Sequence, residues 1–477
     1  MTGSSMYGFA TSISPDGQMG VVTAPVYSGS LASYRAGRAL TYAFAATNGD
    51  VTASMKQALY PTGEAAFAQF GTSVSLSASG NVLAVGACES NAMYHQAGAA
   101  FVYTRPNASI PWSLTGELLW AGARQLSLYG WAVAATDTVV FVGAPYLDNN
   151  RGAVIGYAGP HNWHAGAPFL SFMPQATNIP TYSRYGWAIV ASDDFMVASA
   201  PQLVVDGVAA AGMAFAFHYD AVSGLWSETG SLRVPASMTA RLQQFGSSMA
   251  LSGRTLAIGC VGFDTSLGGN RYMTHSTGAV FVFVAHRGAE ALASTRSGNR
   301  WAWVRVAVLV PNGADSITPM MGWGIALPAL PPRARPGGLG TGSVADDDPT
   351  VGRLLVGAAP TGARGAVYAV DLAPYAIRSD DSASVSPELA REMAARGCLR
   401  AGVSTVATVL KGSEGGKGGS FWLPAAGLTL RATECAVVGV NWWDGTAPSA
   451  SGAAGDVVYD AASAPVAWPS VSVRERE

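Results

Sequence analysis

The 477 residues are enough for about three average domains or for one large repetitive one. Charged residues make up 12% of the chain and hydrophobic ones 49%, with no uncharged apolar run of about 18 residues that could cross a bilayer as a helix. Twenty-eight Lys plus Arg against 30 Asp plus Glu give a net charge of −2, which removes any broad attraction to nucleic acid or an anionic membrane.

Along the chain the same short signals return in the same order. An aromatic residue or Met followed by Gly opens a segment at Tyr7-Gly8, Phe70-Gly71, Tyr129-Gly130, Tyr185-Gly186, Phe245-Gly246 and Met321-Gly322, and a degenerate seventh start lies at Gly419-Ser420-Phe421. Successive starts are 63, 59, 56, 60, 76 and 98 residues apart, so the unit is close to sixty residues with added material in the later units. Each start is followed by a tight polar turn and an apolar run that ends in small residues, as in VVTAP at 21–25, FVGAP at 141–145 and VVGVN at 437–441.

A Gly-led alternating run comes next as the third strand (GAAFVYTR, GAVIGYAG, GMAFAFHY, GAVFVFVA and, more weakly in the seventh unit, GDVVYDAA), and a variable fourth run often carries Trp and Leu (WSLTGELLW, LWSETGSLRV). Period-two alternation bounded by turns predicts four strands per unit. One such sheet cannot bury both faces alone, whereas radial packing of successive sheets can. Trp131, Trp187 and Trp323 all follow the Gly of the start and are expected to pack equivalently, as core.

These motifs resemble the FG-GAP repeats of the integrin α-subunit N-terminal β-propeller. The resemblance covers nearly the whole chain and implies an all-β, seven-bladed β-propeller over 1–477, with four antiparallel strands per blade and blades starting near 7, 70, 129, 185, 245, 321 and 419. Residues 328–350, rich in Pro, Gly and charge, are expected to form a mobile loop. SPELAREMAARG at 386–397 predicts a short helix with Ser386 as N-cap, and the run at 465–473 could complete the last blade.

Repeats of this family often hold calcium in an acidic loop between their first two strands, and that loop is missing here. No cofactor is expected, leaving Asp148, Asp264 and Asp346-Asp347-Asp348 as weak metal candidates. The four cysteines show no metal-ligand or dithiol spacing, and Cys88 and Cys260 end apolar runs as core thiols would.

The loops after the small-residue corner join the second and third strands and belong on one face. Tyr27, Tyr34, Arg35, Tyr94, His95, Arg151, Arg271 and Tyr272 carry the aromatic or Arg character that interface hot spots favour. The expected function is therefore a non-catalytic binding or adhesion module whose partner is another protein or a glycan. The alternatives are a structural subunit of a large assembly and a propeller-fold enzyme acting on glycans. Linear catalytic motifs are missing, so no enzymatic activity is expected. The resemblance implies a cell-surface or extracellular protein, although MTGSSMYGF shows no secretory signal.

Overall fold

The computed structural model describes residues 5–14, 16–29, 34–47, 50–61, 67–159, 163, 169–174, 178–263, 278–287, 301–309, 321–327, 353–358, 366–371, 406–411, 420–423, 436–439 and 457–458. The described secondary structure is almost entirely β. Sheet one is β1 (Thr11–Ile13), β2 (Met19–Ala24), β3 (Arg38–Thr47) and β4 (Asp50–Leu59). Sheet two is β5 (Phe70–Leu76), β6 (Val82–Ala87), β7 (Ala99–Thr104) and β8 (Ser113–Leu118). Sheet three is β9 (Ala132–Ala135), β10 (Val139–Gly143), β11 (Val154–Ala158) and β12 (Phe169–Ser171). Sheet four is β13 (Ile189–Ala191), β14 (Phe195–Ala200), β15 (Met213–Asp220) and β16 (Leu225–Leu232), and sheet five is β17 (Phe245–Ser252), β18 (Thr255–Cys260), β19 (Ala279–Arg287) and β20 (Trp301–Leu309).

Sheet six begins as β21 (Met321–Ala326), β22 (Arg353–Ala358), β23 (Ala366–Asp371) and β24 (Val406–Lys411), after which β25 (Ser420–Leu423) and β26 (Ala436–Gly439) pair as a two-stranded sheet. Finally β27 (Val457–Val458) pairs with β24 as a fifth strand of sheet six. This departs from the reading of GDVVYDAA as the third strand of the seventh unit. A pairing of two residues is too short for periodicity to assign. All the named strand pairings are antiparallel, and all but β24 with β27 join consecutive strands. The segments 328–350, 386–397 and 465–473 lie outside the described residues, as do Asp264, Arg271, Tyr272 and Asp346 to Asp348.

The motif glycines explain how the sheets join. The first strand of each sheet lies beside the first two of the preceding one, β5 beside β1 and β2, β9 beside β5 and β6, and so on to β21 beside β17 and β18. At each seam the corner residue sits on the start glycine of the next sheet. A Cβ on Gly86 would collide with the Gly130 carbonyl, one on Gly143 with that of Gly186, and one on Gly259 with that of Gly322. Where the corner residue is Thr23 or Ser199, its hydroxyl takes the N–H of Ala10 or Ala188 in its own sheet, at 3.0 and 3.1 Å.

A second contact joins the glycine before the third strand to the aromatic of the next start. Gly37 bridges Phe70, Gly98 bridges Tyr129 and Gly152 bridges Tyr185, each as a parallel pair that leaves no room for a Cβ. The neighbouring backbone completes the staple. At the third seam Tyr182 N–H donates to the Asn149 carbonyl at 3.0 Å, Arg184 to Asn150 at 2.7 Å and Tyr185 to Arg151 at 2.9 Å. Equivalent triplets recur from Phe67, Gln69 and Phe70, from Leu126, Leu128 and Tyr129, and from Leu242, Gln244 and Phe245.

The start aromatics Phe70, Tyr185 and Phe245 are fully buried and pack edge-on against the third strand of their own sheet, on Phe101, Phe215 and Phe281, with centroids 5.3 to 5.7 Å apart, whereas Tyr7 at the first start is exposed. Apolar side chains of adjacent sheets fill the space between them. One cluster joins Phe141 and Phe172 of the third unit to Met196, Phe215 and Phe217 of the fourth.

Candidate functional site

Six of the eight sequence-selected loop residues are described, and they lie in loops of the first three units. Tyr27 lies under the guanidinium of Arg38, 3.9 Å from the ring centroid, and 6.3 Å from Tyr60. Tyr34 packs edge-on against Phe67 at 5.4 Å. Tyr94 and His95 are exposed on the second unit, and Arg151 is half-buried on the third. Tyr34, Arg35, His95 and Arg151 also give their main-chain carbonyls to the seams, so their loops hold neighbouring sheets together. Asp148 is exposed on the turn Leu147–Asn150. Among the described residues no three His, Cys, Asp or Glu side chains come together as a metal group.

A different set converges at the seam between sheets three and four. Trp131 immediately precedes β9 and Trp187 lies two residues before β13, both at the position after a start glycine, and their ring centroids are 4.8 Å apart. Tyr146 follows the FVGAP corner of the third unit and meets Trp131 edge-on at 5.7 Å. Arg184, one residue before the Tyr185 start, places its guanidinium 4.9 Å from the Tyr146 ring and 5.3 Å from that of Trp187. The contacts run Trp131, Tyr146, Arg184, Trp187 and back to Trp131, closing a cluster of three aromatic rings and one cation. All four side chains are half-buried.

The surrounding chain explains this arrangement. The parallel bridge from Gly152 to Tyr185 brings the loop of residues 146–151 against the linker that carries Arg184. That loop also supplies Asp148 and Arg151. Arg184 has φ of 57°, a left-handed conformation that L side chains rarely take. The equivalent Gln69, Leu128 and Gln244 share it at 50°, 49° and 54°, so it recurs at the first four seams and does not mark the site. The Nε atoms of Arg151 and Arg184 are shielded from solvent and make no hydrogen bond.

The sequence reading placed Trp131 and Trp187 in the core and passed over Tyr146 and Arg184. The signal was present: residues at one repeat position in consecutive units must be neighbours across a seam, and two consecutive starts read YGW.

The buried titratable groups belong to the packed core and are structural. Burial pushes the Cys88 thiol up to about 12 and raises that of Cys260 well above its ordinary value; both are free thiols. Tyr129 and Tyr185 are held protonated in the same way by desolvation.

No protein-family model matches the chain, and no curated protein matches it in sequence. Among solved structures it is similar to the periplasmic gluconolactonase PpgL of Pseudomonas aeruginosa, at 12% identity and a TM-score of 0.40 over 75% of this chain and 80% of that one. A protein from Bacteroides uniformis named for 6-phosphogluconolactonase gives 12% identity and a TM-score of 0.40 over 76% and 81% of the two chains. Sqt1 of Saccharomyces cerevisiae gives 9% and 0.35 over 79% and 75%. Two of these solved structures carry the names of lactonases, where a non-catalytic binding module or structural subunit without enzymatic activity was expected. The earlier reading rested on missing linear motifs, and a site assembled from several sheets leaves no linear motif to find.

Proposed function

We propose that the chain is a propeller-fold enzyme acting on glycans or sugar-derived substrates, with its site at the seam between sheets three and four. The observation that carries this reading is the cluster of Trp131, Trp187, Tyr146 and Arg184, in which aromatic faces and a cation meet on one half-buried surface. Aromatic rings pack against the apolar faces of sugars, and a few placed polar groups then fix orientation. Cleaving a glycosidic bond ordinarily takes two carboxylates that flank it. The loop at this site carries one, Asp148. One carboxylate suffices to take a proton from water as its oxygen attacks the carbonyl of a sugar lactone or ester. The C–O bond then breaks and the leaving oxygen is protonated. Asp148 is assigned that general-base role.

The architecture proposed with it is a seven-bladed ring of FG-GAP type. It is supported by β26, which lies beside both β21 and β1 and so bridges the last sheet to the first. The glycine contacts that recur from seam to seam support it as well.

The test is hydrolysis of sugar lactones, acetylated sugars and oligosaccharides by the full chain. Trp187→Ala is expected to raise KM at least tenfold, and Asp148→Asn to lower kcat at least a hundredfold without changing KM. Absence of turnover on all three substrate sets would sink the proposal, and unchanged kcat in Asp148→Asn would remove Asp148 from it.

A further inference from the structure

The arginines of this seam lack the partners that such residues usually have. Arg233 pairs with Asp206 at 2.6 Å. Neither Arg151 nor Arg184 forms an ion pair with a described carboxylate, and each has its Nε out of solvent without an acceptor. Withdrawing part of a guanidinium from water without an acceptor is unfavourable, and an anion that accepts its N–H groups relieves that cost. Their chain segments are hydrogen-bonded neighbours, through Arg184 N–H to Asn150 and Tyr185 N–H to Arg151. The two residues therefore lie on adjoining stretches of backbone, with the Arg184 guanidinium against the aromatic rings.

Building on the reading above, we propose that the substrate is an anionic saccharide, with a uronate-type carboxylate held by Arg184 and Arg151 while its ring packs on Trp187 and Trp131. A guanidinium presents parallel N–H donors that match the two oxygens of a carboxylate. Contact with Tyr146 and Trp187 restrains the Arg184 side chain, which lowers the entropy lost when it takes up the anion. The chain has a net charge of −2, so capture of an anion cannot come from overall charge and must be local.

The test is a tryptophan-fluorescence titration of the full chain with oligomers of galacturonate, glucuronate and mannuronate, each paired with its methyl ester, which keeps the ring and removes the charge. At least one acid is expected to bind tenfold or more tightly than its ester. Arg184→Gln should abolish the preference for the acid over its ester, and Arg184→Lys should recover part of that preference. Arg151→Gln provides a second variant should Arg184→Gln fail to fold, as judged by circular dichroism. Equal binding of acid and ester in all three pairs overturns the anionic-substrate assignment and leaves the glycan reading standing. Failure of every acid and ester to bind overturns both.

Discussion

Gly152→Ala tests the account of how the sheets are joined. Gly152 has φ of +87°, and a Cβ there would collide with the backbone of Tyr185. The positive φ alone costs an L residue about 1–2 kcal/mol. Relieving the collision means moving the Tyr185 strand away and weakening three backbone hydrogen bonds, from Tyr182, Arg184 and Tyr185, worth about 1 kcal/mol each. The expected destabilisation is about 3–5 kcal/mol, a large part of the roughly 5–15 kcal/mol that holds a typical domain together. Gly207→Ala is the control, since Gly207 has φ of +79° and nothing within 4 Å of its Cβ position, so only the conformational term applies. Urea unfolding followed by tryptophan fluorescence measures both variants. If Gly152→Ala costs within about 1 kcal/mol of Gly207→Ala, the seam contact is not what demands glycine and the explanation of the motif fails.

Tyr185→Phe removes a hydroxyl that donates to the Phe172 carbonyl at 2.6 Å in a fully buried setting, and the orphaned acceptor is expected to cost about 1–3 kcal/mol in urea unfolding. Phe occupies the same repeat position at Phe70 and Phe245, so an unchanged midpoint would mean that the hydrogen bond adds nothing to the ring's packing. Stability is expected to fall between pH 9 and 12. The Cys88 thiol, ordinarily at 9.0, is pushed up to about 12 in the folded chain, so over that window the unfolded chain loses a proton that the folded chain keeps. This contribution is fully present below pH 9 and declines by about 1.4 kcal/mol per pH unit for each such group. Cys260, and above pH 10 Tyr157, act in the same direction, and a flat profile of urea midpoints at pH 8, 9.5 and 11 would contradict the burial of these groups.

The fold was legible where one backbone geometry recurs. The start glycine, the small corner and the glycine before the third strand are readable in sequence because each answers to a contact that no Cβ can enter, as at Gly86 on Gly130 and Gly98 on Tyr129. The four-strand unit was legible from alternation, which survives the register shift between third and fourth strands at Thr41/Tyr42, Val102/Tyr103, Ala216/Phe217 and Val282/Phe283. The placement of β27 beside β24 was not, because two residues carry no period. The site was only partly legible. Tyr34, Arg35, His95 and Arg151 were singled out for their chemistry, yet their carbonyls serve the seams, and sequence cannot separate what a side chain offers from what its backbone is committed to.

A repeat fold gives every seam the same backbone, so the side chains in which one seam departs from the others are where a particular function can reside. The position after the start glycine is Phe9, Thr72, Trp131, Trp187 and Ser247 in the first five units, and the position before the start aromatic is Met6, Gln69, Leu128, Arg184 and Gln244. The position after the corner is Val26, Glu89, Tyr146, Gln202 and Gly262. In these five units Trp131, Tyr146, Arg184 and Trp187 fall together only at the seam between the third and fourth, and there the measured distances close them into one cluster. The seam backbone is satisfied equally well by Gln, Leu or Ser at these positions elsewhere in the chain, so folding does not require aromatic and cationic side chains there. Their convergence is left to be explained by what binds, and that places the search for activity on this seam.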